Sequence, residues 1–521
     1  MRPGAIRAGG YGVGADGEQD AVAGGAGGLD EVSYGQRIRD LAVSDPDGTA
    51  VVFAPRSGPE VAITRRTLDD RSTQVARLLM ERGAGPGALL ALALTNSPEH
   101  LYASVGAWKA GAGVLPIRAD LPDWERERLL EVAGVALVVG DVAGSAVPVV
   151  TRADLAASVD RSVAALPDVV ALPAVAVASS GSTGRPKVIV SPLPGVWAPL
   201  TTPPMVSEWI DLPPAISQLV PAPLYHTNGF SICQGMLMAG GAMVLMEKFD
   251  AAQAFDLIER YRIGCFTAVP TMLARMARVD GVGERDLSSL VYVMQGGSAC
   301  PDWVVEAWNA LVGPERFFLT YGSTERVGLT IMRGRDWLDH RGSCGRPFET
   351  EIRILDESGR DLPPGEIGEI YLRRPGQTAP TFEYVGADAP PRTDDGYTSI
   401  GDLGWLDPDG FLYIADRRVD MIVSGGANVF PAEVETALSG HPGVHDVVVI
   451  GLPDPEWGRR VHAIVEPVDA AAPPTAAELD AFVRTRLAAY KVPKGYELVA
   501  RIPRTDAGKV NRGTLTAERG G

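Results

Sequence analysis

Short runs of apolar, often β-branched residues alternate with amphipathic stretches over most of the chain, and this alternation is the signature of an α/β fold. The runs at 135–140, 169–178, 290–295 and 317–320 predict buried strands. Between such runs, 71–82, 123–132, 253–260 and 303–311 place apolar residues three and four apart, as one buried helix face requires. No period of 20 to 50 residues repeats, which excludes a solenoid. From 344 to 415 the strands shorten and turn signals crowd in, Pro363-Pro364-Gly365 and Asp407-Pro408-Asp409-Gly410, so a small β subdomain is expected at 343–418. A fresh βα pattern follows, with a strand at 447–451 and a helix at 477–487. A domain boundary is placed after residue 418.

Composition narrows the class. A length of 521 residues suggests about three domains. With 45% hydrophobic and 22% charged residues, the chain has ample material for packed cores. Forty-eight Lys and Arg face 65 Asp and Glu, a net charge of −17 that repels polyanions and argues against nucleic acid as a partner. Any phosphate ligand must be held by local geometry. Ten of the 60 glycines fall within the first 30 residues, a stretch with one aromatic and no lysine, which is expected to form a disordered arm. That arm lacks the apolar core of a signal peptide. The longest apolar run, 235–246, is too short to span a bilayer. Cys233, Cys265, Cys300 and Cys344 are widely separated with no CxxC spacing, so neither a disulfide framework nor a zinc site is expected. A cytoplasmic setting follows.

Three motif matches fail on context. Gly12-Val13-Gly14-Ala15-Asp16-Gly17 fits GxGxxG but has no strand before it and no helix after it. Gly508-Lys509 resembles the end of a phosphate-binding P-loop, yet Val510 stands where a metal-binding hydroxyl belongs. The acidic turn at Asp407 to Gly410 is too short for a calcium loop and reads as a β-turn. Two other segments promise chemistry. Ser179-Ser180-Gly181-Ser182-Thr183-Gly184-Arg185-Pro186-Lys187 follows a strand and offers amides, hydroxyls and a cation to a polyphosphate. Tyr321-Gly322-Ser323-Thr324-Glu325 follows another strand, at the strand end where open α/β sheets bind ligands. There Glu325 could hold Mg2+ and Thr324 donate to a phosphate.

In order along the chain, these segments stand with Trp108-Lys109-Ala110-Gly111, 223–229, Gln295-Gly296-Gly297-Ser298, Gly401-Asp402, Asp416-Arg417, Ser424-Gly425-Gly426, Pro431-Ala432-Glu433 and the 503–509 segment. The whole set resembles the adenylate-forming superfamily, on its acyl-CoA synthetase branch. The resemblance implies a large N-terminal domain (31–418) of two αβ-layered subdomains plus a small β-barrel-like subdomain, then a small mobile α+β C-terminal domain (419–521) hinged at Val419. It implies ATP as cosubstrate, AMP and pyrophosphate as products, Mg2+ on Glu325, and coenzyme A. A small-molecule carboxylic acid attacks ATP to give an acyl-AMP, and a thiol then displaces AMP.

Roles follow by the same resemblance. Ser179, Ser180, Gly181, Ser182, Thr183, Gly184 and Lys187 would cradle phosphates, with Thr324 and Glu325 beside them. Gly297, Ser298, Tyr321 and Gly322 would form the adenine slot; Asp402 would chelate the ribose hydroxyls and Arg417 would reach ribose or phosphate. Lys509 would bridge the carboxylate and the α-phosphate. Gly425, Gly426, Trp457, Tyr490 and Lys494 would serve CoA, although a carrier-protein phosphopantetheine arm could use the same tunnel. His226, with Tyr225, Phe230, Met236, Gln295 and Gly296, would line the acyl site. Leu224-Tyr225-His226 lacks the acidic residue of amino-acid-activating relatives, so a bulky hydrophobic acid is expected instead; a homodimer is left open. Four positions depart from the pattern: Val188, Val419, Val492, and Arg326, which directly follows the expected metal ligand and could pair with it. Together these departures raise a second reading, in which adenylation is weak and the enzyme mainly converts acyl-AMP to acyl-CoA.

Overall fold

Strands buried on both faces must be apolar along their whole length. In the computed structural model of the protein, which describes residues 32–180, 186–197, 216–505 and 508–521, such runs assemble a nine-stranded sheet. Across it lie Arg346–Phe348, Leu329–Arg333, Phe317–Gly322, Tyr292–Gln295, Cys265–Ala268, Gln218–Val220, Met243–Met246, Thr49–Ala54 and Val61–Thr64. The run from Phe317–Gly322 to Thr49–Ala54 is parallel, and antiparallel strands close both edges. From Gln218–Val220 the chain moves to the neighbour Met243–Met246 on one side, then crosses to Cys265–Ala268 on the other. That reversal leaves a crevice beyond the carboxyl ends of the strands.

A second, four-stranded parallel sheet (Gly113–Pro116, Leu89–Leu92, Leu137–Val139, Val149–Val150) shares a core with the first through the helices Arg65–Glu81 and Pro98–Lys109. The Trp108-Lys109 pair is part of that core. The Trp108 indole donates to the Ala174 carbonyl at 2.9 Å, and the Lys109 ammonium lies 2.5 Å from an Asp69 carboxylate oxygen and 2.9 Å from the Thr73 hydroxyl. Burial pushes the Lys109 ammonium down to about 8 against the pull of Asp69. The β subdomain is a four-stranded antiparallel sheet, Glu351–Leu355, Gly368–Arg373, Thr398–Leu406 and Leu412–Arg417.

The C-terminal domain has its own core, in which Val429, Val434, Leu438, Val449, Val461 and Val483 meet. It consists of the hairpin Ile422–Ser424/Ala427–Val429, the helix Pro431–Ser439, and a sheet of Val444–Asp454, Gly458–Pro467 and Gly495–Leu498. Among its ties to the large domain are two hydrogen-bonded contacts. The Asp416 carboxylate, near the end of Leu412–Arg417, accepts from the Ala432 amide at 2.9 Å in the first turn of Pro431–Ser439. Arg278 donates to the His445 carbonyl at 3.0 Å.

Element boundaries depart from the sequence expectation for local reasons. Of the strand expected at 169–178, only Val175 onward pairs, Val175 in an isolated bridge to Val114 and the rest in Ala176–Ser180; Pro173 has no N–H to give a ladder. The helix expected from 71 begins at Arg65, because the Thr64 hydroxyl accepts from the Thr67 amide and starts the helix before its apolar period is established. The helix expected to reach 487 ends at Arg484. The Gly-rich arm and its GxGxxG match, together with Gly181 to Gly184 of the phosphate loop, lie outside the described residues.

Candidate active site

The carboxyl ends of four neighbouring parallel strands open onto one cleft of about 2900 Å3. Tyr225 and His226 come from the loop after Gln218–Val220, Thr271 from beyond Cys265–Ala268, Gly296 to Ser298 from beyond Tyr292–Gln295, and Tyr321 to Glu325 from the end of Phe317–Gly322. Asp402, Arg417 and Val419 enter from the β subdomain side, and Lys509 from the C-terminal domain.

One group in it is a carboxylate with two partners. Asp402 and Arg417 stand opposite each other across an antiparallel ladder, with Arg417 Nε 3.4 Å from Asp402 Oδ1. The Tyr321 hydroxyl donates to Asp402 Oδ2 at 2.6 Å. Burial pushes the Asp402 carboxyl up, and Arg417 and Tyr321 oppose that shift. Gly297, at φ +97, takes a backbone conformation that a side chain would strain. Gln295 Nε2 donates to the Ser298 carbonyl at 2.7 Å, and the Thr320 hydroxyl donates to the Gln295 carbonyl at 2.8 Å, so this turn is braced from both sides.

Beside this group stands Glu325, which is 8% exposed and whose charge acts on Asp402. The Tyr384 hydroxyl donates to Glu325 Oε1 at 2.7 Å, and Lys187 Nζ lies 3.6 Å from the same oxygen. Lys187 also sits 3.9 Å from the centroid of the Tyr384 ring. Burial lowers the Lys187 ammonium while Glu325 raises it. The Thr324 and Thr227 hydroxyls lie 2.9 Å apart, joining this loop to the start of the helix Thr227–Ala239. Three buried polar atoms here have no partner among the described residues: His226 Nε2, Asn228 Nδ2 and Ser323 Oγ. Burial pushes His226 down to about 3, with the charges of Lys509 and Arg118 adding to the effect, so its imidazole is neutral at pH 7. The Lys509 ammonium is lowered by burial and by Arg417, and raised by Glu325. Gly508, at φ +75, allows this approach: a Cβ there would sit 2.3 Å from the Thr271 hydroxyl.

Mg2+ binds through one or two carboxylates and completes its shell with phosphate oxygens and water. Glu325 fits that need. One of its oxygens is engaged by Tyr384, and among the described residues no second acid forms a metal cage with it. The one three-residue grouping of metal-ligand type among them is His340, Asp407 and Asp409, far along the chain in the expected acidic turn. There Asp407 Oδ1 is occupied by the Asp409 and Phe411 amides.

Several expectations need correction. Arg326 does not pair with Glu325: its backbone is left-handed (φ +55), and its guanidinium reaches Ser231 Oγ at 3.4 Å. Phe230 does not line the cleft; it packs in the core against Trp108 and His100, turned about 100° around the helix Thr227–Ala239 from Ser231. Val188 and Val492 are core residues, 0% and 1% exposed. The residues expected to serve CoA, Gly425, Gly426, Trp457, Tyr490 and Lys494, belong to a different surface and do not line this cleft. Three of them cluster apart from it, Gly425 donating to the Trp457 carbonyl at 2.9 Å and Lys494 Nζ lying 5.0 Å from the Trp457 ring.

Two residues escaped sequence reasoning. Tyr384 sits in a short strand, Glu383–Val385, whose only signal was an alternating Phe382-Glu383-Tyr384-Val385 pattern. Asn96 reads as part of a helix start, yet its side chain is a buried clamp. It donates to the Ala222 and Met246 carbonyls (3.1 and 2.9 Å) and accepts from the Leu224 amide (2.8 Å), fixing the loop that carries His226.

Fold and cleft define a nucleotide-using α/β enzyme whose site is completed by a lysine from a second domain. Sequence comparison matches the AMP-binding enzyme family over residues 38–381 and the AMP-binding enzyme C-terminal domain over 433–509. The chain is 33% identical to a feruloyl-CoA synthase of Amycolatopsis sp over 87% of its length and 93% of the relative's. It is 32% identical to the fatty acid–[acyl-carrier-protein] ligase ScoC of Streptomyces coeruleorubidus, over 91% and 94%. Its structure resembles the o-succinylbenzoate CoA synthetase of Bacillus subtilis in complex with an acyl-adenylate, with a TM-score of 0.78, 26% identity, and 94% and 98% of the two chains covered. The chain belongs to the AMP-binding enzymes of the adenylate-forming superfamily, on the acyl-CoA synthetase branch.

Proposed function

We propose that this ATP-dependent, AMP-forming ligase activates a bulky, largely hydrophobic carboxylic acid as an acyl-AMP and passes the acyl group to CoA. The observation that carries this reading is the convergence of Lys509, His226 and Glu325 on one cleft that also holds the Tyr321–Asp402–Arg417 group. Asp402 offers two acceptors to adjacent ribose hydroxyls, and Tyr321 offers an aromatic face to adenine. Glu325 holds Mg2+, which supplies charge neutralisation on the phosphates. Lys187 and Lys509 bring fixed cations to a site where charge builds during attack on the α-phosphorus. His226 stays neutral, so its unpartnered Nε2 is free to hydrogen-bond an oxygen of the acid without adding charge. Met236, Ile232 and Gly235 give the acyl side its apolar lining.

The thiol step needs a different arrangement. Gly425 (φ +57) and Gly426 (φ +82) form the two-residue turn of a hairpin, the tip that would face pantetheine. That tip lies outside the cleft while Lys509 lies in it, which supports a rotation of the C-terminal domain about Val419 between half-reactions. The reading in which adenylation is weak stands as the alternative; one of its grounds, an Arg326–Glu325 pair, is absent because Arg326 reaches Ser231 instead. The test is acid-dependent ATP/pyrophosphate exchange over a panel of hydrophobic acids, followed by thioester formation with CoA and, in parallel, with a phosphopantetheinylated carrier protein. Exchange with thioester formed on CoA is expected. Exchange with thioester only on the carrier would transfer the reading to carrier loading.

A further inference from the structure

Arg326 and Glu325 are neighbours in sequence and are sent to opposite sides of the site. Glu325 faces Tyr384 and Lys187, whereas Arg326 reaches the helix Thr227–Ala239. The left-handed backbone at Arg326 makes the division, a conformation that costs a non-glycine residue about 1 to 2 kcal/mol and persists where surroundings enforce it. The guanidinium arrives at Ser231 on the cleft-lining face of that helix. One turn earlier on the same face, Asn228 carries a buried amide nitrogen with no partner among the described residues.

A second arginine, Arg374, also lines the cleft, near enough for its charge to act on Arg326. Among the described residues no carboxylate forms an ion pair with either. Elsewhere this acidic chain pairs its arginines freely: Arg373 with Glu351, Arg353 with Asp361, Arg335 with Glu315. Both arginines are exposed and line the cleft, so two like charges face one cavity where an anion can reach them. The groups at this spot are donors: a guanidinium, an amide N–H and a hydroxyl.

We propose that Arg326, with Ser231 and Asn228, forms an anion subsite in the acyl pocket, so that the preferred substrate is a dicarboxylic acid whose second carboxylate, remote from the one activated, docks on Arg326. This deepens the reading of the cleft as an acyl-CoA ligase site and rests on it. The apolar lining near Met236 then holds the body of the acid between the reacting carboxylate at His226 and Lys509 and the distal carboxylate at Arg326.

The experiment compares matched pairs of aryl and alkyl acids with the same skeleton, each as a monoacid, as the acid bearing a distal hydroxyl, and as the diacid. The enzyme is used full-length, with Mg·ATP, and read by ATP/pyrophosphate exchange. A charge-assisted contact predicts kcat/KM about 10- to 100-fold higher for the diacid. Arg326→Leu should erase or invert that ratio, and Arg326→Lys should keep part of it. Diacid binding is also measured by calorimetry on the ATP-loaded enzyme. Arg326-dependent diacid binding without exchange would support the subsite while refuting the ligase reading. Equal or better use of monoacids or hydroxy acids would overturn the subsite and leave the ligase reading standing. An unchanged diacid-to-monoacid ratio in Arg326→Leu, or no diacid binding, would overturn it as well.

Discussion

Tyr384→Phe removes one oxygen atom and should separate the two half-reactions. The Tyr384 hydroxyl donates to Glu325 Oε1 at 2.7 Å, and the Lys187 ammonium waits 3.6 Å from the same oxygen. A hydrogen bond to a buried charged acceptor is worth about 1.5 to 3 kcal/mol. Without it, the carboxylate closes on Lys187, and the proposed metal ligand and the proposed phosphate cation neutralise each other. At 1.36 kcal/mol per decade this loss slows adenylation about 10- to 150-fold. The phenyl ring still faces Lys187, so cation–π attraction survives in Phe and is lost in Tyr384→Leu, which should cost about 0.5 to 2 kcal/mol more. The assay is acid-dependent ATP/pyrophosphate exchange across a Mg2+ series, beside thioester formation from synthetic acyl-AMP and CoA. Exchange should fall and require more Mg2+, while thioester formation stays near wild type. Exchange within twofold of wild type at limiting Mg2+, or an equal drop in both steps, would refute the assignment of Glu325 and Tyr384 to the first half-reaction.

Four further outcomes are expected. Lys509→Ala should abolish exchange and largely spare thioester formation from acyl-AMP; equal loss of both would contradict alternating use of the C-terminal domain. Gly425→Ala should do the reverse, since a Cβ there meets the Trp457 ring at 2.6 Å on a left-handed backbone, and exchange is the control reading. Asn96→Ala breaks three buried hydrogen bonds, so the first thermal transition should shift by the equivalent of about 2 to 4 kcal/mol, with weakened acid binding as the His226 loop loosens. Acid should destabilise the protein through His100, which burial pushes down to about 4. As pH falls from about 6.5 to about 4 the unfolded chain takes a proton that the native state refuses, so stability drops by up to about 3 kcal/mol. Melts of His100→Gln should show a shallower fall over that window.

Much of this was legible in the sequence because loops at strand ends need glycine, hydroxyl and acidic residues that break the apolar pattern. Tyr321 to Glu325 and Gln295 to Ser298 announce themselves in this way, and the structure sets both at the mouth of one cleft. What stayed hidden depends on direction rather than residue type. Phe230 and Ser231 are adjacent in one helix, yet a rotation of about 100° sends the first into the core and the second into the cleft. Arg326 beside Glu325 invited an ion pair that a single left-handed φ prevents. Asn96 and Tyr384 act across 128 and 59 residues of chain, on Leu224 and Glu325, and short-range pattern carries no record of such contacts.

The net charge of −17 leaves room for a phosphate-bearing cosubstrate because three cations, Lys187, Arg417 and Lys509, are brought to the cleft by separate elements. Lys187 is placed by a strand and steadied by an aromatic face, and Arg417 by a ladder position opposite Asp402. Lys509 arrives on a loop seated against Thr271 through Gly508. Each is lowered, paired or positioned by a different element, and only Lys509 belongs to the second domain. Rotation of that domain would withdraw one cation from the cleft, and with it the charge proposed to stabilise attack on the α-phosphorus, while the Asp402 group and Glu325 keep their places. The proposed Arg326 subsite would remain as well, because Arg326, Ser231 and Arg374 all belong to the large domain. An acid docked there would therefore keep its distal anchor through both half-reactions, so the selectivity exercised at adenylation should reappear at thioester formation from matched synthetic acyl-adenylates.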